Sequence, residues 1–259
     1  MTRRLLKGII PPVVLFMMVI CGWQIAVSAL KIPPYLLPGP AEVWAAAGRK
    51  STNLLVASTI TGAGALCGYF ASLVVGTVVA LVFSQSTAIR SSCYPYAIFL
   101  QTVPIVAIAP LIVTWFGTGF HSVVAIACLI SLFPVITNVT SGLLSIDRGL
   151  SDLFRLHQAT RWQKLRKLQI PNAVPYFLTG AKTSSGLAVV GAIVGEFFVG
   201  YGTRAHGLGF VILYSGPQLK TDQLFAATIA SAVLGVIMFA AITLIGTLLF
   251  RYDRYDPQG

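Results

Sequence analysis

Six stretches of this chain are apolar almost without interruption: 9–30, 56–83, 94–116, 122–142, 176–199 and 224–250. Each is as long as the roughly 20 residues that an α-helix needs to cross a bilayer. Backbone N–H and C=O groups have no water to bond inside lipid, so each run predicts a helix. None shows the ten-residue alternation of an outer-membrane barrel. The predicted fold class is all-α, a polytopic membrane bundle of about six transmembrane helices in a single domain over 1–259. Pro104, Pro110 and Pro134 fall inside the predicted spans, where each removes a hydrogen bond and kinks its helix. Short connections near 85–92 and 117–121 join spans two to four as a hairpin series. No fixed-period repeat or low-complexity tract is present.

Between the fourth and fifth spans, about 147–171, the pattern changes to D-R-G-L-S-D-L-F-R-L-H-Q-A-T-R-W-Q-K-L-R-K-L-Q-I-P. Asp147 is placed to cap a first short helix with Leu150, Leu153 and Phe154 on one face. Thr160 and Gln163 have the S/T-x-x-E/Q spacing of a capping box for a second. That second helix sets Trp162, Leu165 and Leu168 at helical spacing beside Arg161, Lys164 and Lys167, and Pro171 and Pro175 are expected to end it. Two readings fit: an interfacial helix held by anionic headgroups, or a docking surface for another protein. A second polar stretch, 31–53, opens with four prolines and continues as A-E-V-W-A-A-A-G-R-K, a short helix along the membrane surface.

Composition agrees with the pattern, at 56% hydrophobic and 10% charged residues and a mean hydropathy of +0.83. Charge adds orientation. With the amino terminus inside, Arg3, Arg4, Lys7, Arg90, six basic residues of the central segment, Arg251 and Arg254 lie on one side, against Lys31, Arg49, Lys50, Arg204 and Lys220 on the other; Lys182 sits within a span. Basic residues collect on the cytoplasmic side, so both termini and the central segment are expected there. The net charge of +11 is then a topology signal and not a nucleic-acid footprint. The first apolar run exceeds the 7–15 residues of a signal core, so it is expected to be retained. Cys21, Cys67, Cys93 and Cys128 have no paired spacing and are expected as small buried hydrophobes without disulfides or metal.

The central segment resembles the signature loop of ABC-importer permeases, E-A-A, three residues, G, nine residues, I-x-L-P. Leu168, Gln169, Ile170 and Pro171 match its ending, Gln158 takes the glycine position, and Asp152, Leu153 and Phe154 take E-A-A with only the acid retained. The stretches L-L-P-G-P-A-E-V, P-I-V-A-I-A-P-L-I-V-T-W-F-G, V-V-G-A-I-V-G-E-F and G-L-G-F-V-I-L extend the likeness over nearly the whole chain, towards the nitrate, sulfonate and taurine branch with its thiamine-precursor pyrimidine and riboflavin permeases. The resemblance implies an inner-membrane transport subunit, no enzyme itself, working as a dimer with a second permease copy, cytoplasmic ATPase subunits and a solute-binding protein. It places ATPase coupling at Asp152, Gln158, Ala159, Thr160, Arg161, Trp162, Leu165, Leu168 and Pro171. ATP and Mg²⁺ belong to the partner, and no cofactor is expected in this chain, which lacks G-x-x-x-x-G-K-[ST]. Gln158 in a left-handed turn would cost about 1 kcal/mol relative to glycine.

Glu196 is the carboxylate of the fifth span, and an ionisable group in a membrane is a candidate for solute gating or binding. Its place near the outer end also allows a structural pair with Arg204. Gln101, Thr102, Thr114 and Asn138 are polar candidates for the path lining, although threonine also bonds its own helix. His121, His157 and His206 are scattered, and neither H-E-x-x-H nor G-x-S-x-G occurs, which argues against a membrane enzyme. A secondary transporter or channel without an ATPase is the alternative, but it leaves the signature loop unexplained.

Overall fold

The computed structural model describes residues 2–199 and 206–249, and among them there is no strand. In chain order the helices are α1 (Thr2–Ala29), α2 (Pro40–Arg49), α3 (Ser51–Gln85), α4 (Thr87–Thr102), α5 (Ile105–Phe116), α6 (Phe120–Leu144), α7 (Arg148–Leu156), α8 (Arg161–Lys164), α9 (Ile170–Val199), α10 (Leu208–Ser215) and α11 (Thr221–Leu249). Five described stretches are long and apolar enough to cross a membrane: Ile10–Ala29, Ser51–Gln85, Phe120–Leu144, Arg161–Val199 and Thr221–Leu248.

The span expected over 94–116 is not one helix. Pro104 has no N–H to continue the ladder, and Val103 before it takes the extended angles (φ −71°, ψ 125°) that a following proline favours, so α4 and α5 are separate. Pro110 and Pro134 stay inside continuous helices. The connection expected over 85–92 shrinks to Ser86, whose hydroxyl accepts from the Ile89 N–H and starts α4. Cys21, Cys67 and Cys93 are exposed and Cys128 is half-buried, against the expectation of burial. Lipid tails are as apolar as a protein core, so small apolar side chains on a bundle's outside carry no penalty there.

Helix α6 is the central rod, with α3 parallel on one flank and α9 antiparallel on the other. Small residues make both contacts close. Gly64, Gly68, Ser72 and Gly76 recur every fourth residue of α3, and Gly180, Ser184, Gly191 and Gly195 line α9. A methyl group on Gly68 would lie 2.5 Å from the Ala127 Cβ, and one on Gly191 would lie 2.6 Å from the Ala127 Cα, so Ala127 is gripped from both sides. The buried Ser184 hydroxyl donates to the Ser131 carbonyl at 2.7 Å. Without a hydrophobic push between helices in lipid, such close contacts and hydrogen bonds are what hold a bundle together.

These contacts also sort the ends of the bundle. The carboxy-terminal end of α1, where Trp23 meets Phe225, lies with α2, the starts of α3 and α11, and α10; Arg49 pairs with Asp222 at 3.2 Å there. At the opposite end, the last turn of α6 meets the start of α9, with Tyr176 and Ala173 against Gly142. The polar segment of α7 and α8 belongs to this second end, called the loop end below.

Candidate functional site

At the loop end the chain makes a helix–turn–helix whose hydrogen bonds are nearly all local. The Asp147 carboxylate accepts from the Leu150 N–H at 3.1 Å and starts α7. At its other end Gln158 has φ +51°, the Gln158 N–H donates to the Arg155 carbonyl at 3.0 Å, and the Ala159 N–H donates to the Phe154 carbonyl at 2.9 Å. This is a Schellman closure with glutamine at the left-handed position where glycine is usual. Thr160 and Gln163 exchange both bonds of the capping box, at 3.2 and 2.8 Å. The Lys164 ammonium donates to the Ser151 hydroxyl at 2.9 Å and clamps α8 to α7. Asp152 pairs with Arg155 on the exposed side.

The expected end of the second helix at Pro171 and Pro175 does not occur. A π-helical turn, Leu165–Gln169, links α8 to α9, and both prolines lie in α9. The wider turn shifts the carbonyl that the Pro171 ring would otherwise meet one turn back. Arg161–Val199 is thus one helical stretch of 39 residues, about 58 Å long at 1.5 Å per residue. The apolar positions of the second helix divide as well. Trp162 is 66% exposed. Leu165 is half-buried against the cluster that contains Val139, Leu143 and Ala173, and Leu168 is buried. Trp162, Leu150, Leu153 and Leu156 are among the exposed apolar side chains at this end. The Asn172 and Gln169 side chains donate to the Gly142 and Leu143 carbonyls at 2.8 and 3.4 Å, so they satisfy the last turn of α6 and fix the loop to the bundle.

Gln101 and Thr102 come together at the α4–α5 break, on a cavity of about 650 Å³ also lined by Pro104, Leu129, Phe133 and Leu187. The Thr102 hydroxyl donates to the Phe99 carbonyl and that of Thr114 to the Pro110 carbonyl, each within its own helix. Asn138 lies elsewhere, its amide donating to the Pro134 carbonyl at 2.8 Å beside Gly180.

Glu196 is 5% exposed and enclosed. The Thr61 hydroxyl donates to both of its oxygens, at 2.8 and 3.0 Å. The Gly209 N–H donates to Oε2 at 2.7 Å, and the Leu208 N–H donates to the Thr61 oxygen at 2.8 Å. The carboxyl and the hydroxyl therefore satisfy the opening N–H groups of α10 and tie it to α9 and α3. Gly207 and Gly209 are required there, since a side chain at either would collide with Glu196. Arg204, the partner considered from sequence, lies outside the described residues. Thr61, Gly207 and Gly209 are the members of this cluster that sequence reasoning missed. The V-G-E-F and G-L-G stretches carried Glu196 and the two glycines as separate motifs, with no sign that they meet each other or Thr61.

The family described as binding-protein-dependent transport system inner membrane component matches residues 72–252. The formylaminopyrimidine transport permease protein ThiX of Halalkalibacterium halodurans is 32% identical over 94% of this chain and 96% of its own. The riboflavin transport system permease protein RibX of Chloroflexus aurantiacus is 32% identical over 93% of this chain and 89% of its own. Among solved structures, the inward-facing MetNI methionine ABC transporter superposes with a TM-score of 0.64 at 19% identity, over 78% of this chain and 97% of that chain, a likeness of fold.

Proposed function

Because this chain belongs to the binding-protein-dependent inner-membrane transport components, as a translocation-path permease subunit of an ABC importer, we propose that its α7–α8 turn is where a separate ATPase subunit acts. The observation that carries this reading is the continuous helical stretch from Trp162 to Val199. A partner that grips exposed Trp162, Leu150 and Leu153 moves one end of a rod, and the far end of that rod is bonded through Glu196 to α10 and α3. The Schellman turn, the capping box and the Lys164–Ser151 bond keep α7 and α8 from flexing independently. Closure of the ATPase around ATP and Mg²⁺ then tilts α9 and, through its small-residue contact, α6, exchanging inward and outward states.

The path runs past Gln101 and Thr102 at the α4–α5 break, where the ladder is interrupted and a cavity opens; irregular backbone at membrane depth belongs beside such a cavity. A second copy of the permease completes that path, and a solute-binding protein delivers solute at the α10 end. The loop end faces the cytoplasm, since Arg148, Arg155, Arg161, Lys164, Arg166 and Lys167 gather there. Both relatives at 32% identity are named for nitrogen-ring solutes, which favours that class for this chain.

Trp162→Ala tests the coupling surface, because it removes the exposed anchor and leaves Leu165 and Leu168 in the packing. An aromatic anchor of this size is worth about 2 kcal/mol or more at an interface. Co-purified ATPase is expected to fall severalfold while the permease still inserts; undiminished co-purification removes Trp162 from the interface. Orientation is read separately. A cysteine replacing Gln163 in a cysteine-free background should react with an impermeant thiol reagent only after permeabilisation, and labelling in intact cells reverses the topology.

A further inference from the structure

We propose that a second cavity, beside α10 at the end of the bundle away from the loop, is a binding site for a planar heteroaromatic ring with an anionic edge. The cavity holds about 350 Å³ between the end of α2, the start of α3, α10 and the start of α11. That is near the lower limit of the roughly 300–1,000 Å³ of small-molecule pockets, enough for one or two fused rings.

One wall is an aromatic slab. Phe210 and Tyr214, four residues apart on α10, share a face, and His206 just before the helix stacks on Phe210. The His206 and Phe210 rings lie 3.8 Å apart at 15°, and Phe210 and Tyr214 lie 5.4 Å apart at 14°. Tyr214 ends the slab and is 50% exposed. Aromatic rings in offset stacks attract beyond the area that they bury, so a flat ligand can extend the series at Tyr214.

Lys50 and Lys220 stand on the rim of the same cavity. Lys50 donates to the Gln223 amide oxygen at 3.0 Å and Lys220 to that of Gln218, and among the described residues neither ammonium pairs with a carboxylate. The described acids at this end are engaged elsewhere, Asp222 with Arg49, Glu42 with the Gly39 N–H, and Glu196 with Thr61 and the Gly209 N–H. No Asp or Glu is among the lining residues. A ligand carboxylate offers each ammonium an ion pair, with charge on both partners, in place of a bond to a neutral amide. An aliphatic anion would use the lysines and leave the slab idle, and a lipid tail would do the reverse. A ring with an acidic edge uses both.

The importer reading supplies only the purpose of the site, which is to hold solute where it enters the path. Its test needs neither ATPase nor binding protein, so it can fail while the Trp162 result stands, and the converse. The full chain in lipid nanodiscs is titrated with radiolabelled orotate, a carboxylated pyrimidine, with unlabelled taurine as a ringless anion. Saturable orotate binding is expected, resistant to a large excess of taurine. Tyr214→Ala should weaken it about tenfold, the size of one stacking contact, while Tyr214→Phe keeps wild-type affinity. Lys220→Gln should weaken it and reduce its salt dependence. The site is overturned if taurine displaces orotate as well as orotate itself does, if Tyr214→Ala changes nothing because Tyr214 is only an interfacial anchor, or if no saturable binding occurs.

Discussion

Gly191→Ala is expected to lower the melting temperature of the purified protein sharply, whereas Gly235→Ala leaves it unchanged or raises it. The chemistry is identical, one methyl group in the middle of an apolar helix, and by helix propensity alone alanine gains about 1 kcal/mol over glycine. Space decides the sign. At Gly191 the new methyl would stand 2.6 Å from the Ala127 Cα and 3.2 Å from both the Ala127 N and the Ile126 O. Those are backbone atoms of α6 and have no rotamer to change. The helices must separate, with loss of the Gly180 and Gly195 contacts on either side. Overpacking of this kind costs about 1–3 kcal/mol, at times more. At Gly235 nothing lies within 4 Å. Equal melting of the two variants in the same detergent would show that α6 and α9 do not pack this closely.

Glu196→Ala carries the second large effect. It removes the acceptor of the Thr61 hydroxyl and of the Gly209 N–H, both buried, and leaves a void under α10. Each orphaned buried donor costs about 1–3 kcal/mol, so the loss is a few kcal/mol in all. Glu196→Gln is expected to recover most of it. Its amide oxygen still accepts from Gly209, and its N–H₂ can donate to the Thr61 oxygen. Thermal unfolding of the three proteins in nanodiscs should therefore rank wild type, then glutamine, then alanine. An alanine variant as stable as wild type would mean that Glu196 does not hold α10 in place. The same order should appear in orotate affinity, because α10 carries the aromatic slab.

The outcome at the loop shows where local chemistry suffices. Asp147 and Leu150, Thr160 and Gln163, and the closure at Gln158 are contacts between residues three to five apart. The Asp147 cap and the Thr160–Gln163 box formed as residue type and spacing predict, whereas the left-handed turn at Gln158, left open by the sequence, is supplied by the structure. Pro171 failed as a stop signal because a π-helical turn just upstream makes room for its ring, beside the packed Leu165 and the Asn172 bond to α6. The four-residue stripe of Gly64, Gly68, Ser72 and Gly76 is visible along the chain, but it does not say which helix it meets.

By itself, then, the sequence determined a helical membrane bundle, the capped turn between α7 and α8, and the family signature, because hydropathy and capping act within one helix or one turn. Only the tertiary structure decided that Glu196 lies under α10 on Thr61 and Gly209, that Gln101 and Thr102 share a cavity while Asn138 does not, and that Lys50 and Lys220 flank one aromatic wall. Thr61 and Glu196 are 135 residues apart and Thr61 and Leu208 are 147 apart. Bonds at such separation exist only after α3, α6 and α9 have closed around Ala127. The partner of a buried polar group in lipid is whichever group that packing delivers, and apolar runs carry no record of it.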